Sequence, residues 1–98
     1  MRALDAPPPA NGAMQKAEAA AIPLLVTRTN TGVHAVSGVC THRGAALGDG
    51  TQDGTCVRCP WHGSRFSLED GRVLEGPATF SLAGFETRTS DGAVWVRA

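Results

Sequence analysis

The feature that most constrains this chain is a pair of short segments, each carrying one cysteine and one histidine. One residue separates Cys40 from His42, two residues separate Cys59 from His62, and sixteen residues lie between His42 and Cys59. Thiolate and imidazole are ligands that iron, zinc and copper bind well in proteins. Two of each make four ligands, so the sequence predicts a metal site built from these four residues.

The way the ligands are divided between the segments bears on which metal is bound. A structural zinc site usually takes two cysteines from a turn and two histidines from a helix. Here each segment supplies one sulfur and one nitrogen, and no helical pattern carries a histidine pair. This division favours a binuclear cluster with both thiolates on one iron and both imidazoles on the other. A mononuclear zinc site, which would make the chain a structural zinc module, is the remote alternative.

The residues around the ligands carry a family resemblance. The first segment reads CTHRGA from Cys40, and the second reads CPWHGS from Cys59. In ligand types, spacings and neighbours the pattern resembles the Rieske 2Fe–2S proteins, in which two histidines replace two cysteines on one iron. The resemblance extends over roughly residues 27–97 and implies a Rieske-type 2Fe–2S cluster as cofactor. The ligands that it implies are Cys40, His42, Cys59 and His62.

The resemblance also implies a setting for the cluster. Two ligand loops are expected at one tip of the domain, with a third, proline-containing loop at residues 76–78 covering the cluster. Ser64 is expected to donate a hydrogen bond to a bridging sulfide, and Trp61 either to shield the cluster or to pack the tip. The neighbours expected around the ligands are Gly44, Trp61, Ser64 and Pro77, and no catalytic residue is expected.

Departures from the family pattern indicate a low reduction potential. High-potential members carry an additional disulfide between the ligand loops, whereas the matching positions here are Ala45 and Trp61. Those members also place a tyrosine hydroxyl near a ligand sulfur, where this chain has Phe66. Hydrogen bonds to the sulfurs stabilise the reduced, more negative cluster and raise its potential. We therefore expect a potential toward the low end of the range of about −150 to +300 mV known for Rieske centres.

Composition limits the partners of the chain. Its 98 residues make one domain, and nine basic and nine acidic side chains cancel. There is no charge run to favour nucleic acid, no apolar run long enough to span a bilayer, and no visible secretory signal. Three cysteines do not make a disulfide framework, so a reducing, cytoplasmic location is expected.

The rest of the sequence predicts an all-β fold. Residues 1–13 are rich in alanine and proline and are expected to form a linker or disordered arm, with the domain at residues 14–98. Residues 14–21 favour an edge strand over a single helical turn. Short strands with Gly- and Asp-containing turns follow, with a long loop at residues 44–54 and one strand at 82–89. These patterns predict an antiparallel β-sandwich, and the resemblance adds a two-loop cluster-binding subdomain to it.

Three other residue types need an interpretation. Cys56 is expected to be a buried structural thiol, and His34 an ordinary strand histidine outside the ligand spacing. Three arginines flank the loops and could dock an acidic partner, although solvation or local pairing is the more favoured interpretation; they are Arg43, Arg58 and Arg65.

The predicted function is one-electron transfer. The resemblance implies a Rieske-type ferredoxin that passes electrons from a reductase to an oxygenase or similar acceptor. The alternative is a Rieske domain excised from a larger, possibly membrane-bound, redox enzyme. An oxygenase subunit also needs a mononuclear iron held by two histidines and a carboxylate. Once His42 and His62 bind the cluster only His34 is left, so this chain is not itself predicted to be an enzyme.

Overall fold

The chain folds almost entirely into β-strands. The computed structural model describes residues 2–4, 8–41, 44, 46–61, 63–76, 78, 80–90 and 92–97. Within these residues there are eleven strands, a 3₁₀ turn at Leu47–Asp49 and no α-helix. The strands are β1 (Arg2–Ala3), β2 (Met14–Ala19), β3 (Ile22–Thr29), β4 (Gly32–Ser37), β5 (Thr51–Asp53), β6 (Cys56–Arg58), β7 (Arg65–Ser67), β8 (Val73–Glu75), β9 (Gly84–Phe85), β10 (Thr87–Ser90) and β11 (Ala93–Val96).

The strands form three antiparallel sheets. The first sheet has the order β2-β3-β4-β9, the second has the order β5-β6-β7-β8, and the third has the order β1-β11-β10. The second sheet contains the strands that enter and leave the Cys59 loop. The all-β, antiparallel fold is therefore confirmed. Among the described residues, no helix has the length and apolar character that crossing a membrane requires.

The sheet of β2, β3, β4 and β9 contributes to two hydrophobic cores, one on each face. Consecutive side chains of a strand point to opposite faces, and here Leu24 and Leu25 enter different cores. Leu24 packs in the core that contains Val94 of β11, whereas Leu25 packs in the core that contains Phe66 of β7. Residues of β3 therefore need apolar side chains on both faces, which explains the continuous run Leu24 to Val26.

The β2–β3–β4 meander confirms the strand interpretation of residues 14–21. Met14 pairs with Thr27 and Ala19 with Ile22, which leaves a two-residue turn at Ala20 and Ala21. Both turn residues have positive φ, 52° and 65° respectively. Positive φ at both residues of a two-residue hairpin turn is typical of a type I′ turn, where Asn-Gly is preferred because Asn and Gly tolerate the left-handed region better than Ala.

Some elements differ from the sequence-based expectations. Arg2–Ala3 pairs with β11, and the buried Leu4 donates its N–H to the Val94 carbonyl at 2.8 Å, so residues 2–4 are part of the folded body although they were expected in the linker. The domain start at residue 14 stays a prediction. The expected loop at 44–54 contains the 3₁₀ turn and β5. The expected strand at 82–89 is divided at Glu86, because β9 pairs with β4 and β10 with β11.

Candidate metal centre

Cys40 lies just beyond the end of β4, in a segment fixed by backbone hydrogen bonds. Gly38 donates to the Pro23 carbonyl at 2.9 Å, and the Leu47 N–H donates to the Gly38 carbonyl at 2.9 Å. A Cβ at Gly38 would lie 3.1–3.2 Å from backbone atoms of Leu24, so a larger residue would push this segment away from β3. The Cys40 carbonyl accepts from the Gly44 N–H at 2.9 Å, which closes a tight turn around the first ligand loop.

Cys59 directly follows β6, and the chain turns back on itself at once. Its N–H donates to the Ser64 carbonyl at 2.8 Å, and its carbonyl accepts from the Gly63 N–H at 3.3 Å. Gly63 has a φ of 76°, a left-handed conformation that favours glycine. Arg58 Nη1 donates to the Gly63 carbonyl at 2.8 Å and braces the second ligand loop from outside.

The two cysteines meet inside the core between these loops. Cys40 is 2% exposed and Cys59 is 4% exposed, and both pack with Phe66. All three cysteines of the chain lie in its described part and are free thiols there. The Cys40 and Cys59 side chains belong to the same buried cluster, and Cys40 is near enough to raise the pKa of the Cys59 thiol. Two buried thiols in one cluster, from separate loops, are suited to binding one metal ion together.

The protonation of Cys59 reflects this environment. Burial raises the pKa of the Cys59 thiol above its ordinary value of 9.0, and the backbone N–H of Trp61 lowers that pKa by donating to the sulfur. The hydrogen bond and the charge of Cys40 raise it again. Two adjacent thiolates in a low-dielectric site repel each other. A cation between the sulfurs would remove this repulsion, so the donor pair fits an iron ion.

The two predicted histidine ligands, His42 and His62, lie outside the described residues, as do Arg43, Ala45 and Pro77. Within the described part of the chain, no group of three or more histidine, cysteine or acidic side chains could hold a metal ion. The structure therefore places the two predicted sulfur ligands in one buried cluster, and all four ligands stay a prediction. Both histidines follow their cysteine by two or three positions in the same loop.

A third segment is attached to both ligand loops by side-chain hydroxyls. Ser64, fully buried beside Cys59, accepts a hydrogen bond at its Oγ from the Ala78 N–H at 2.9 Å. Thr41, next to Cys40, donates from its Oγ1 to the Phe80 carbonyl at 2.6 Å. Ala78 is thus attached to the second ligand loop and Phe80 to the first, and a third loop that covers the site stays a prediction. Sequence reasoning did not identify Thr41 or Phe80.

These observations can be compared with known proteins. The Rieske [2Fe-2S] domain family matches residues 4–86, which include both cysteine–histidine segments. The chain belongs to the Rieske [2Fe–2S] domain family. As a member it binds a Rieske-type 2Fe–2S cluster, and the paired buried thiols fit the iron that takes two sulfur ligands.

Three comparisons illustrate the proteins to which this Rieske domain is similar. Ferredoxin CarAc of Metapseudomonas resinovorans is 38% identical over 76 residues, which are 78% of this chain and 71% of that protein. Human apoptosis-inducing factor 3 is 35% identical over 88 residues, 90% of this chain but only 14% of that protein. A solved complex of reduced oxygenase and oxidized ferredoxin in carbazole 1,9a-dioxygenase contains a chain with 34% identity and a TM-score of 0.78; the match covers 95% of this chain and 93% of that chain.

The remaining residues singled out in the sequence take the following positions in this Rieske domain. Trp61 is 59% exposed, so it does not pack the tip, and Phe66 is fully buried. Cys56 lies on β6 but is only partly buried, which corrects the expectation of a buried thiol. His34 Nε2 lies 2.9 Å from Thr31 Oγ1, within the β3–β4 hairpin and away from both ligand loops.

Arg58 and Arg65, the two described arginines that flank the loops, are both paired locally. Arg58 Nη2 lies 3.3 Å from Glu75 Oε2. Arg65 Nη1 lies 3.8 Å from the same carboxylate oxygen, and its Nη2 lies 3.9 Å from Asp53 Oδ2. These contacts tie β6, β7 and β8 together beside the second ligand loop. They leave less free positive charge for an acidic partner than the sequence alone indicated.

Proposed function

We propose that this chain is a ferredoxin component, a carrier that takes single electrons from a reductase and passes them to an oxygenase or similar acceptor. The observation that supports this most strongly is a pair of free thiols in one buried cluster, in a chain matched by the Rieske family over residues 4–86. The cluster supplies one-electron chemistry when bound. The chain acts as an electron-transfer component and is not the catalytic subunit of such a system.

The proposed ligands are Cys40 and Cys59 on one iron and His42 and His62 on the other. The roles of the chain's own groups follow from the contacts around the thiols. Burial of both cysteines excludes water from the sulfurs, and the Trp61 N–H stabilises the Cys59 thiolate. Ser64 uses its oxygen to accept from Ala78, so its hydroxyl proton is available for a sulfur of the cluster.

The relatives support the direction of electron flow that we propose. Ferredoxin CarAc is named as a ferredoxin, and the solved structure of carbazole 1,9a-dioxygenase joins a ferredoxin to an oxygenase. We infer the same kind of partner for this chain and a cytoplasmic location, consistent with three free cysteines. The proposed domain organisation keeps residues 14–98 as the Rieske domain, joined by the strand that Arg2–Ala3 contributes.

The test is complementation of a depleted electron-transfer chain. The purified, cluster-loaded protein is added to the reductase and oxygenase of carbazole 1,9a-dioxygenase without their own ferredoxin. Substrate-dependent consumption of reductant that needs this chain, and that disappears when Cys59 is replaced by Ser, is the expected result. Failure of the loaded protein to restore any turnover would contradict the carrier role in such a system.

A second candidate is a Rieske domain that works within a larger redox protein. The observation that favours it is the match to human apoptosis-inducing factor 3, in which the matched region is 14% of the whole. In that case the electron acceptor would be another domain of the same polypeptide. Antibody detection of the native protein in its source cells would separate the candidates, because a carrier runs near the 10.1 kDa mass of this chain.

A further inference from the structure

Two large aromatic side chains are exposed at the ligand loops. The chain has five aromatic residues, all of them described, and Trp61 and Phe80 are exposed to 59% and 73%. Phe66 is fully buried, and Phe85 and Trp95 are partly buried. Leaving a Trp and a Phe in water forgoes the free energy of burying them. Large apolar side chains left exposed together are typical of surfaces that bind a partner.

Both aromatics flank the same pair of thiols. Trp61 follows Cys59 by two residues in the second ligand loop. Phe80 belongs to the third segment, and its carbonyl accepts the hydrogen bond from Thr41, the neighbour of Cys40. Because Cys40, Cys59 and Ala78 pack in one buried cluster, the two aromatics lie on segments that converge on the same region. An electron that leaves the cluster crosses the surface nearest to it, so these side chains lie where a redox partner must come close.

The backbone around Phe80 is held in place although its ring is exposed. Thr41 Oγ1 binds its carbonyl, and two residues later the Leu82 N–H donates to the Gly71 carbonyl at 2.7 Å. Ala78 is attached to Ser64 on the other side. An aromatic on a fixed backbone loses little conformational entropy when a partner covers it, which makes it an effective binding anchor.

The charged side chains near these loops bind one another. Arg58 and Arg65 share the carboxylate of Glu75, and Arg65 also approaches Asp53. Paired charges in water contribute little to further binding. In the described part of this surface, the groups without a partner inside the chain are therefore the two aromatic rings rather than the arginines.

We propose that Trp61 and Phe80 form an apolar docking surface for the electron-accepting oxygenase, which presents an apolar patch of its own. This inference rests on the proposed carrier function and names the surface through which it operates. Affinity comes from burying the two rings, so it depends little on ionic strength. Thr41 is a positioning residue, because it fixes the segment that carries Phe80 and does not itself contact the partner.

The test measures electron transfer from the reduced, cluster-loaded protein to the oxidised oxygenase of carbazole 1,9a-dioxygenase by anaerobic stopped flow. Phe80→Ser and Trp61→Ser are each expected to raise the half-saturating oxygenase concentration about tenfold or more, the usual effect of removing an aromatic anchor. For Phe80→Ser, the transfer rate at saturation and the EPR spectrum of the cluster are expected to stay unchanged. Leu74→Ser, at an apolar residue 40% exposed on β8, is the matched control and is expected to have no effect.

Salt and the Thr41 contact give two further readouts. Raising NaCl from about 50 to about 500 mM is expected to change the half-saturating concentration less than about threefold, because screening acts on charges. Thr41→Val is expected to weaken binding with Phe80 intact, and Thr41→Ser, which keeps the hydroxyl, to restore it. A merely structural role for Thr41 would instead change the cluster spectrum or its rate of loss.

The possible outcomes separate the two proposals. If the unaltered protein, with its cluster intact, transfers no electrons to the oxygenase, the carrier function is contradicted and the docking surface with it. If transfer occurs but both serine variants bind like the unaltered protein, the aromatic surface alone is wrong. A strong weakening by salt combined with inert aromatic variants would assign docking to charged side chains and would also overturn the inference.

Discussion

Ser64 Oγ accepts a hydrogen bond from the backbone N–H of Ala78 at 2.9 Å, and both residues are buried beside the cysteine pair. One hydroxyl thus joins the second ligand loop to the segment that covers it. Since the Ser64 oxygen accepts this hydrogen bond, its hydroxyl proton can be donated to another group. A sulfur of a cluster bound beside Cys59 would be a suitable acceptor for that proton, because its negative charge would grow on reduction.

Ser64→Ala is expected to lower both stability and reduction potential. A buried N–H left without an acceptor costs about 1–3 kcal/mol of unfolding free energy. Loss of a hydrogen bond to a charged sulfur is expected to lower the potential by roughly 60–120 mV, which is about 1.5–3 kcal/mol for one electron. Denaturant titration and protein-film voltammetry measure the two effects.

Ser67→Ala is the matched control for this prediction. Ser67 is also buried, and its Oγ accepts from the Glu69 N–H at 3.2 Å, in the β7–β8 turn rather than beside Cys59. It is expected to lose stability and keep its potential. A Ser64→Ala variant with an unchanged potential would show that the hydroxyl does not reach a sulfur.

Arg58→Met is expected to weaken the second ligand loop without unfolding the domain. The side chain is partly exposed, so its ion pair with Glu75 contributes less than about 1 kcal/mol. Its hydrogen bond to the Gly63 carbonyl, however, holds the turn that follows Cys59. We expect several-fold faster loss of visible absorption when a chelator is added.

Arg97→Met removes another exposed pair, since Arg97 Nε lies 3.1 Å from Glu86 Oε1, far from the loops. It should leave the rate of cluster loss unchanged. Equal rates for the two variants would mean that Arg58 does not brace the loop.

The β2–β3 turn offers a stabilising double substitution. Ala20 and Ala21 both adopt positive φ, which costs about 1–2 kcal/mol per residue for a side chain with a Cβ. Ala20→Asn with Ala21→Gly supplies the residues that a type I′ turn prefers. We expect the free energy of unfolding to rise by about 1–2 kcal/mol. Each kcal/mol corresponds to an increase in Tm of roughly 4–8 °C.

Ala83→Gly tests whether the gain comes from the turn conformation. Ala83 is exposed and does not have positive φ, so glycine there should only add freedom to the unfolded chain and destabilise. A decrease in the Tm of the Ala20/Ala21 double variant would contradict the strain that we assign to this turn.

Because the pKa of Cys59 is raised, we expect the stability of the iron-free chain to depend on pH, and we expect the bound cluster to remove this dependence. In the iron-free chain the folded state holds the thiol proton more tightly than the unfolded state. The unfolded chain therefore loses that proton first, and stability falls as pH rises above the ordinary value of 9.0. With iron bound, the sulfur is already deprotonated, so this fall should be absent from the loaded protein.

Urea titrations of the iron-free protein between neutral and alkaline pH measure this effect. Cys59→Ser should flatten the profile, whereas Cys56→Ser should retain it because Cys56 lies outside the buried pair. A profile that Cys59→Ser leaves unaltered would mean that another group controls the alkaline loss of stability.

Much of this fold could be predicted from local patterns, and the exceptions depend on distant partners. The β3–β4 hairpin is visible because apolar residues follow one another between turn residues. β5 and β8 have no such pattern; Thr51 joins a sheet only because Arg58 lies opposite it. Likewise, Arg2–Ala3 looks like linker, yet β11 offers a free edge to which it pairs. Propensity carries no information about such edges.

The candidate site also combines residues that local patterns identify with a contact that depends on a distant partner. Residue types and spacing single out Cys40 and Cys59 as candidate ligands, and in the folded chain both lie in the same buried cluster. The Thr41–Phe80 contact had no comparable signal, because a hydroxyl beside a ligand is common and its partner is 39 residues away. Only the folded chain shows which carbonyl it reaches.

The ligand set is tested most directly by pulsed EPR of the reduced protein, with iron and sulfide analysis of the same sample. We expect two irons and two sulfides per chain, with magnetic coupling to nitrogens of two histidines. These couplings should change when histidine is labelled with ¹⁵N. His34→Gln should keep both couplings, and replacing His42 or His62 should abolish the signal or one coupling. A colourless protein with one zinc, or a cluster that shows no histidine nitrogen, would contradict the account.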